Sequence, residues 1–271
     1  MKLLYLILCL CCACIWAEFK SIELEIVFPE KDRPCVYVEI EGHKFLELFD
    51  LGAIHEFAMS RSALTVLPNK EPFSKSLFRG MKGEAEENIE YFFPKISINS
   101  LVFNNAVVAE LGDKRLRAEE KFVGFVGNRI LQSGNLILDF ARSKVIVIPH
   151  STSQRADGYD IESWVKIKFE WKGIGIFLEI DNDMEKMRFL LDTGCVFTYI
   201  DRSFFTNPPE EQNLYYDSSK FKIGEFDFGK QRLTSMEWGK FADEQGILGM
   251  DFLKKHVIYI DYPNKVLYIK P

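Results

Sequence analysis

The chain repeats itself once, and this repeat limits its fold more than any single motif does. The block "GFVGNRILQSGNLILDFARSKVIVIP" (Gly124 to Pro149) can be laid on "GILGMDFLKKHVIYIDYPNKVLYIKP" (Gly246 to Pro271). The step from Gly127 to Asp139 is twelve residues, and so is the step from Gly249 to Asp261. Upstream, "ISINSLVF" (Ile96 to Phe103) pairs with "FKIGEFDF" (Phe221 to Phe228), and the order of blocks is the same in both halves. Two copies are too few for a solenoid, so the repeat reads as a duplicated domain with two lobes.

Carried toward the start of each copy, the alignment sets "VFPEKDRPCVYVEIEGHKFLELFDLGAIHEFAMSRS" against "KFEWKGIGIFLEIDNDMEKMRFLLDTGCVFTYIDRS". Asp50 is then the equivalent of Asp192. Each follows an apolar strand-like run and precedes a glycine (Gly52, Gly194) and a small residue (Ala53, Cys195). Arg-Ser comes soon after in both, as Arg61-Ser62 and Arg202-Ser203. A lone aspartate in such a setting has little chemistry of its own, whereas two on equivalent loops can share a proton.

The local patterns are β throughout. "VYVEIEG" and "GIFLEIDND" alternate or run apolar over strand lengths, with turns such as "EGHK" and "DNDMEK" between strands. Short helical candidates lie at "SRSAL", "DRSFF" and "GMDFLKK". Residues 150–163 are polar and lack periodicity, which marks a linker between an N-terminal lobe at 18–149 and a C-terminal lobe at 164–271.

Residues 1–17 read as a secretory signal: Lys2, an unbroken apolar stretch, then Ala17 followed by charge. An exported chain is the expectation, with lipoprotein processing at Cys14 as the alternative. Of six cysteines, four (Cys9, Cys11, Cys12, Cys14) fall in that segment, so Cys35 and Cys195 make no disulfide framework. A net charge of -6 argues against a nucleic-acid partner, whose phosphates reward clustered Lys and Arg. The four histidines (His43, His55, His150, His256) show no metal-ligand spacing, so neither a metal nor a cofactor is expected. "DNDMEK" begins like a calcium loop but lacks its glycine, and a hairpin turn explains it better. Asp139 and Asp261 offer a rival pair, but each precedes a turn and a final strand, where a turn role is expected.

With "LLDTGCVFTYI" and "GILGMDFL" in the second half, and "LFDLGA" and "GFVGNRIL" in the first, the chain resembles the pepsin and retropepsin-like aspartic proteases. The resemblance covers nearly all of the chain after residue 17. It implies an all-β, bilobal fold of two related β-barrel lobes with a cleft between them. It also implies an endopeptidase in which Asp50 and Asp192 share one proton and activate a water, with a peptide or protein as substrate. The supporting loop residues are Gly52, Ala53, Thr193, Gly194, Cys195 and Thr198. In this family the Thr of Asp-Thr-Gly bonds across to the opposite loop; Thr193 can do so, and Leu51 has no donor. Glu56 stands where the first copy should offer Ser or Thr. Asp50 to Gly124 spans 74 residues against 54 from Asp192 to Gly246. The family would place a flap in that extra length, with Phe78, Tyr91 and Phe92 to cover substrate; an ordinary surface hairpin is the competing explanation. Two other arrangements remain open on the sequence: a catalytically silent peptide-binding protein, and a homodimer that joins Asp192 to its symmetry mate instead of a monomer with an internal dyad.

Overall fold

The structure is a computed structural model that describes residues 21–53, 55–79, 85–112, 116, 120–132, 134–150, 158–173, 175–204, 215–237 and 244–270. The expected signal and Cys14 lie outside these residues. No helix among them is long and apolar enough to cross a membrane. With 58% strand and 10% helix the fold is nearly all β.

The first half runs β1 (Ile22–Glu25), β2 (Cys35–Ile40), β3 (His43–Asp50), β4 (Phe57–Ser60), the helical turn α1 (Arg61–Leu64), β5 (Glu71–Arg79), β6 (Ala85–Ile98), β7 (Leu101–Leu111), β8 (Gly124–Gly127), α2 (Asn128–Leu131), β9 (Asn135–Asp139) and β10 (Lys144–Ile148). The second runs β11 (Val165–Lys168), β12 (Glu170–Lys172), β13 (Gly175–Asn182), β14 (Lys186–Leu191), β15 (Tyr199–Asp201), β16 (Tyr215–Ser218), β17 (Phe221–Ile223), β18 (Phe226–Asp227), β19 (Gln231–Met236), β20 (Gly246–Leu248), α3 (Met250–Leu253), β21 (Val257–Asp261) and β22 (Val266–Lys270). The segments "SRSAL" and "GMDFLKK" hold α1 and α3, and "DRSFF" holds a 3-10 turn at Arg202–Phe204.

Both halves thread their strands alike. β3 and β4 follow one another in the chain but do not pair; β8 lies between them, parallel to β3 and antiparallel to β4. In the second half β20 enters between β14 and β15 in the same two senses. This insertion brings Gly127 opposite Asp50 and Leu248 opposite Leu191, so the end of each aspartate strand is pinned by a distant segment.

A third sheet is built by both halves together, in the order β1-β10-β9-β21-β22-β11. At its centre β9 and β21 pair antiparallel, with Ile137 opposite Tyr259. These two occupy the same place in the repeat, each ten residues after its glycine, Gly127 or Gly249. Equivalent residues can face each other in this way only about a local twofold axis. The sheet is covered on both sides. Leu136, Leu138, Ile258 and Ile260 join the large central core, and Ile137, Ile146, Tyr259 and Tyr268 join a second cluster. Strands buried on both faces need no polar alternation, which accounts for runs such as "NLILD" and "KVIVI".

Part of the expected linker packs against this sheet. Ile161 and Trp164 pack into the second cluster, Tyr159 lies against it, and the Tyr159 hydroxyl donates to Asp139 at 2.6 Å. Polarity and lack of period described the segment's composition but not its anchors. Residues 151–157 of that linker lie outside the described ones.

Glu47 breaks the pattern of its strand. It shares a face of β3 with Phe45 and Phe49, stands opposite Val36, is fully buried, and neither carboxyl oxygen has a hydrogen-bond partner. Its counterpart in the second half is Phe189, also fully buried. Burial pushes the Glu47 pKa well above the usual carboxylate range, because a charge there would lose its hydration with nothing to replace it. Below the unfolded value of about 4.3 both states are protonated and no stability is lost. Above it the unfolded state ionises while the folded state holds its proton, so stability falls by up to about 1.4 kcal/mol per pH unit until the folded pKa is passed. Glu47→Gln should therefore flatten the decline of melting temperature between about pH 4.5 and 7, and Glu47→Met should raise the melting temperature at pH 7. An unchanged pH slope in Glu47→Gln would show that this carboxyl is not the group responsible.

Candidate active site

Asp50 closes β3 and Asp192 follows the end of β14. After each, the chain turns sharply. The Gly52 N–H donates to Asp50 Oδ1 at 2.9 Å and the Gly194 N–H to Asp192 Oδ1 at 2.7 Å. The two loops meet closely enough that each glycine faces the other loop's carboxylate. A Cβ on Gly52 would fall 2.5 Å from Asp192 Cγ, and one on Gly194 would fall 2.5 Å from Asp50 Oδ2. Any side chain at either position would displace a carboxylate, which is the physical reason for glycine in both copies.

The carboxyls of Asp50 and Asp192 face one another across the two loops. Burial, and after it the charge and hydrogen bond of Asp192, hold the Asp50 carboxyl well above its usual range, against the N–H groups of Gly52 and Ala53, which favour the ionised form. Two adjoining carboxyls in such a setting retain one proton between them.

Thr193 ties the two loops together. Its hydroxyl donates to the Phe49 carbonyl at 2.6 Å and accepts from the Leu51 N–H at 2.9 Å. It thus grips the backbone on both sides of Asp50. Leu51 returns no such bond and is fully buried in the core. The brace runs in one direction only.

Behind the loops, the two halves solve one problem with different chemistry. Thr198 donates to Asp251 Oδ1 at 2.7 Å and accepts from the Gly249 N–H at 3.2 Å, fixing the loop to the start of α3. The equivalent position in the first half is Glu56, whose carboxylate lies 3.6 Å from Arg129 on α2. Arg129 occupies the place of Asp251, two residues after its glycine. The polar pair is kept, with an acid and a base in place of a hydroxyl and an acid. Glu56 therefore points to a partner behind the loop. Burial still raises its pKa more than Arg129 lowers it. Neither Arg129 nor Asp251 belongs to the site as read from the sequence, although the alignment sets them opposite each other.

The residues after the glycines differ as well. Ala53 brings only a methyl group, whereas Cys195 brings a thiol, and burial followed by the charge of Asp192 lifts its pKa well above the ordinary value. Cys35 and Cys195 are both free. Cys35 lies on β2 with its pKa raised to about 12, chiefly by burial.

The extra length of the first half forms the β5–β6 hairpin, whose tip, residues 80–84, lies outside the described residues. Tyr91 does not cover the site. It is 7% exposed and packed in the core, with its hydroxyl donating to Glu110 at 3.0 Å. In a strand, neighbouring side chains point to opposite faces, so Tyr91 and Phe93 turn inward and Phe92 outward, where its ring lies 6.1 Å from that of exposed Phe73. Phe78 is on β5 near the tip. The face of the hairpin that carries Glu90 approaches the first loop, with Glu90 3.8 Å from His55.

The rival pair separates. Asp139 accepts from Arg142 and Tyr159, and Asp261 accepts from the backbone and side chain of Asn264. Both are turn caps, and both are buried rather than solvated. In "DNDMEK", Asn182 caps its own turn through the Met184 N–H at 2.8 Å. Among the described residues no cluster of three His, Cys, Asp or Glu could hold a metal.

No family model matches the chain, and no curated protein matches it either.

The one-sided brace has a measurable consequence. Thr193→Val would leave the Phe49 carbonyl and the Leu51 N–H buried without partners, at a cost of about 2 kcal/mol or more, whereas Thr193→Ser keeps the hydroxyl and should stay within about 1 kcal/mol of the parent. Urea unfolding of the two variants checks this, and equal losses would mean that the hydroxyl contributes nothing.

Proposed function

We propose that the protein is an aspartic endopeptidase of pepsin-like, bilobal build, exported, acting as a monomer with Asp50 and Asp192 as an internal dyad. The observation that carries this reading is the mutual approach of two equivalent loops, each glycine facing the other loop's aspartate. The expected substrate is an extended peptide in the cleft between lobes, held by strand-like backbone pairing with apolar pockets for alternate side chains.

The chemistry follows from one shared proton. The ionised carboxylate takes a proton from a water lying between the pair, and the water oxygen attacks the peptide carbonyl carbon. The protonated carboxyl gives its proton to the carbonyl oxygen, so a neutral diol forms and no charge accumulates on the substrate. Collapse returns the diol proton, the nitrogen accepts a proton as the C–N bond breaks, and the pair regains its starting state. No bond between protein and substrate is formed.

Each carboxylate is then indispensable. Asp50→Asn and Asp192→Asn should each lower kcat/KM on a mixed peptide library by about a hundred-fold or more, because an amide cannot accept or release the proton. The rate profile of the parent should be bell-shaped with its maximum at roughly pH 4.5–6, since Asp50 titrates high and the thiol of Cys195 is a weaker donor than a hydroxyl. Activity that survives both substitutions would sink the mechanism. Activity that survives Asp50→Asn but not Asp192→Asn would point to the homodimer, and a parent with no cleavage between pH 2 and 8 to a peptide-binding role.

A further inference from the structure

Arg33 reaches the second loop from the first half of the chain. Its Nη1 donates to the Gly194 carbonyl at 3.1 Å, two residues along from Asp192. The arginine is held from several sides. The Arg33 N–H closes a turn on the Glu30 carbonyl at 3.3 Å, the guanidinium lies 5.9 Å from the centre of the Phe122 ring, and the neighbouring Asp32 carboxylate accepts from Lys254 of the second half.

The local twofold would make Asp50 and Asp192 equivalent, and Arg33 breaks that equivalence. The residue in its place in the second half, 142 positions on as Asp192 is from Asp50, is Gly175. Glycine sends no cation toward the Gly52 carbonyl. We infer that Arg33 is a positioning residue that holds the negative charge of the pair on Asp192 and leaves the shared proton on Asp50. Asp192 is then the base toward water and Asp50 the acid toward the carbonyl. This rests on the reading of the two aspartates as a proton-sharing pair.

The other titratable groups around this contact are few. On the second half they are Cys195, Tyr199 and, beyond it, Asp251 and Tyr215. Asp251 is bonded to Thr198. On the first half they are Asp50, Glu30 and Cys35; Glu30 accepts from the Lys121 N–H. The neighbouring cations are Lys254, which is paired with Asp32, and Lys121, whose Nζ donates to the Pro29 carbonyl at 3.2 Å. Arg33 favours the ionised form of the Cys195 thiol, against burial and Asp192, as a cation beside that loop must.

The test is a carbon-13 titration of aspartate carboxyls in the full-length protein, with Asp50→Asn and Asp192→Asn used for assignment. In the parent, the pair should titrate in two coupled steps, with Asp50 in the upper. Arg33→Met should move the lower step up by about one pH unit, and Arg33→Lys should restore at least half of that shift, because it keeps the charge. The acidic limb of kcat/KM should move in parallel. An unmoved lower step in a folded Arg33→Met protein overturns the inference, and so does Asp50 ionising first in the parent, a result that needs no Arg33 variant. Two carboxyls that titrate independently near pH 4 would instead overturn the shared-proton reading itself.

Discussion

The antiparallel pairing of β9 with β21 is the contact on which the rest of the molecule depends. It lays Ile137 against Tyr259, equivalent residues of the two copies, and so sets the halves about a common axis. The same relation holds at the other place where equivalents meet, Asp50 and Asp192, with matching 2.5 Å approaches at Gly52 and Gly194. A backbone ladder of this kind tolerates little sliding, because a slip of one residue would turn every side chain of the strand to the opposite face. The separation of the two carboxyls is thus fixed largely by a sheet that contains neither of them. Thr193 and Arg33 then add short-range adjustments to a geometry already imposed from below.

Departures from symmetry cluster around that axis. Thr193 grips the first loop and Leu51 does not answer. Arg33 reaches the second loop from a position where the other half has Gly175. Cys195 brings a thiol where Ala53 brings only a methyl group. Each change is small, and all three act at the junction of the two loops. By contrast, the exchange of Thr198 and Asp251 for Glu56 and Arg129 conserves its purpose, since each pair still fastens its loop to the helical turn behind it.

Much of this was legible in the sequence, for identifiable reasons. The repeat survives at glycines and aspartates whose places are set by close approach and turns, so twelve-residue steps could be matched without any help from the apolar residues. The Asp-Thr-Gly stretch and two of the three α-turns stand out for the same reason. The shared sheet did not, because a continuous apolar run shows that a strand is buried and not which strand lies beside it. Tyr91 was misplaced because three aromatics in a row occupy both faces of a strand, and composition cannot tell inner from outer. Arg33 carries no pattern at all: its meaning comes from a carbonyl 161 residues away. Glu47 contradicts the alternation that makes β3 readable, and its significance appears only when its surroundings are seen to be dry.

The one-way brace also bears on how such a chain can have diverged. A tandem of two second halves would place a threonine on each loop, a phenylalanine in each core and a glycine at each Arg33 position. A tandem of two first halves would have no brace and two buried glutamates. The present chain combines a copy that supplies rigidity with one that supplies polarity, so its halves have ceased to be interchangeable. Because Leu51 has no hydroxyl to answer with, the junction of the two loops hangs on a single side-chain oxygen, that of Thr193.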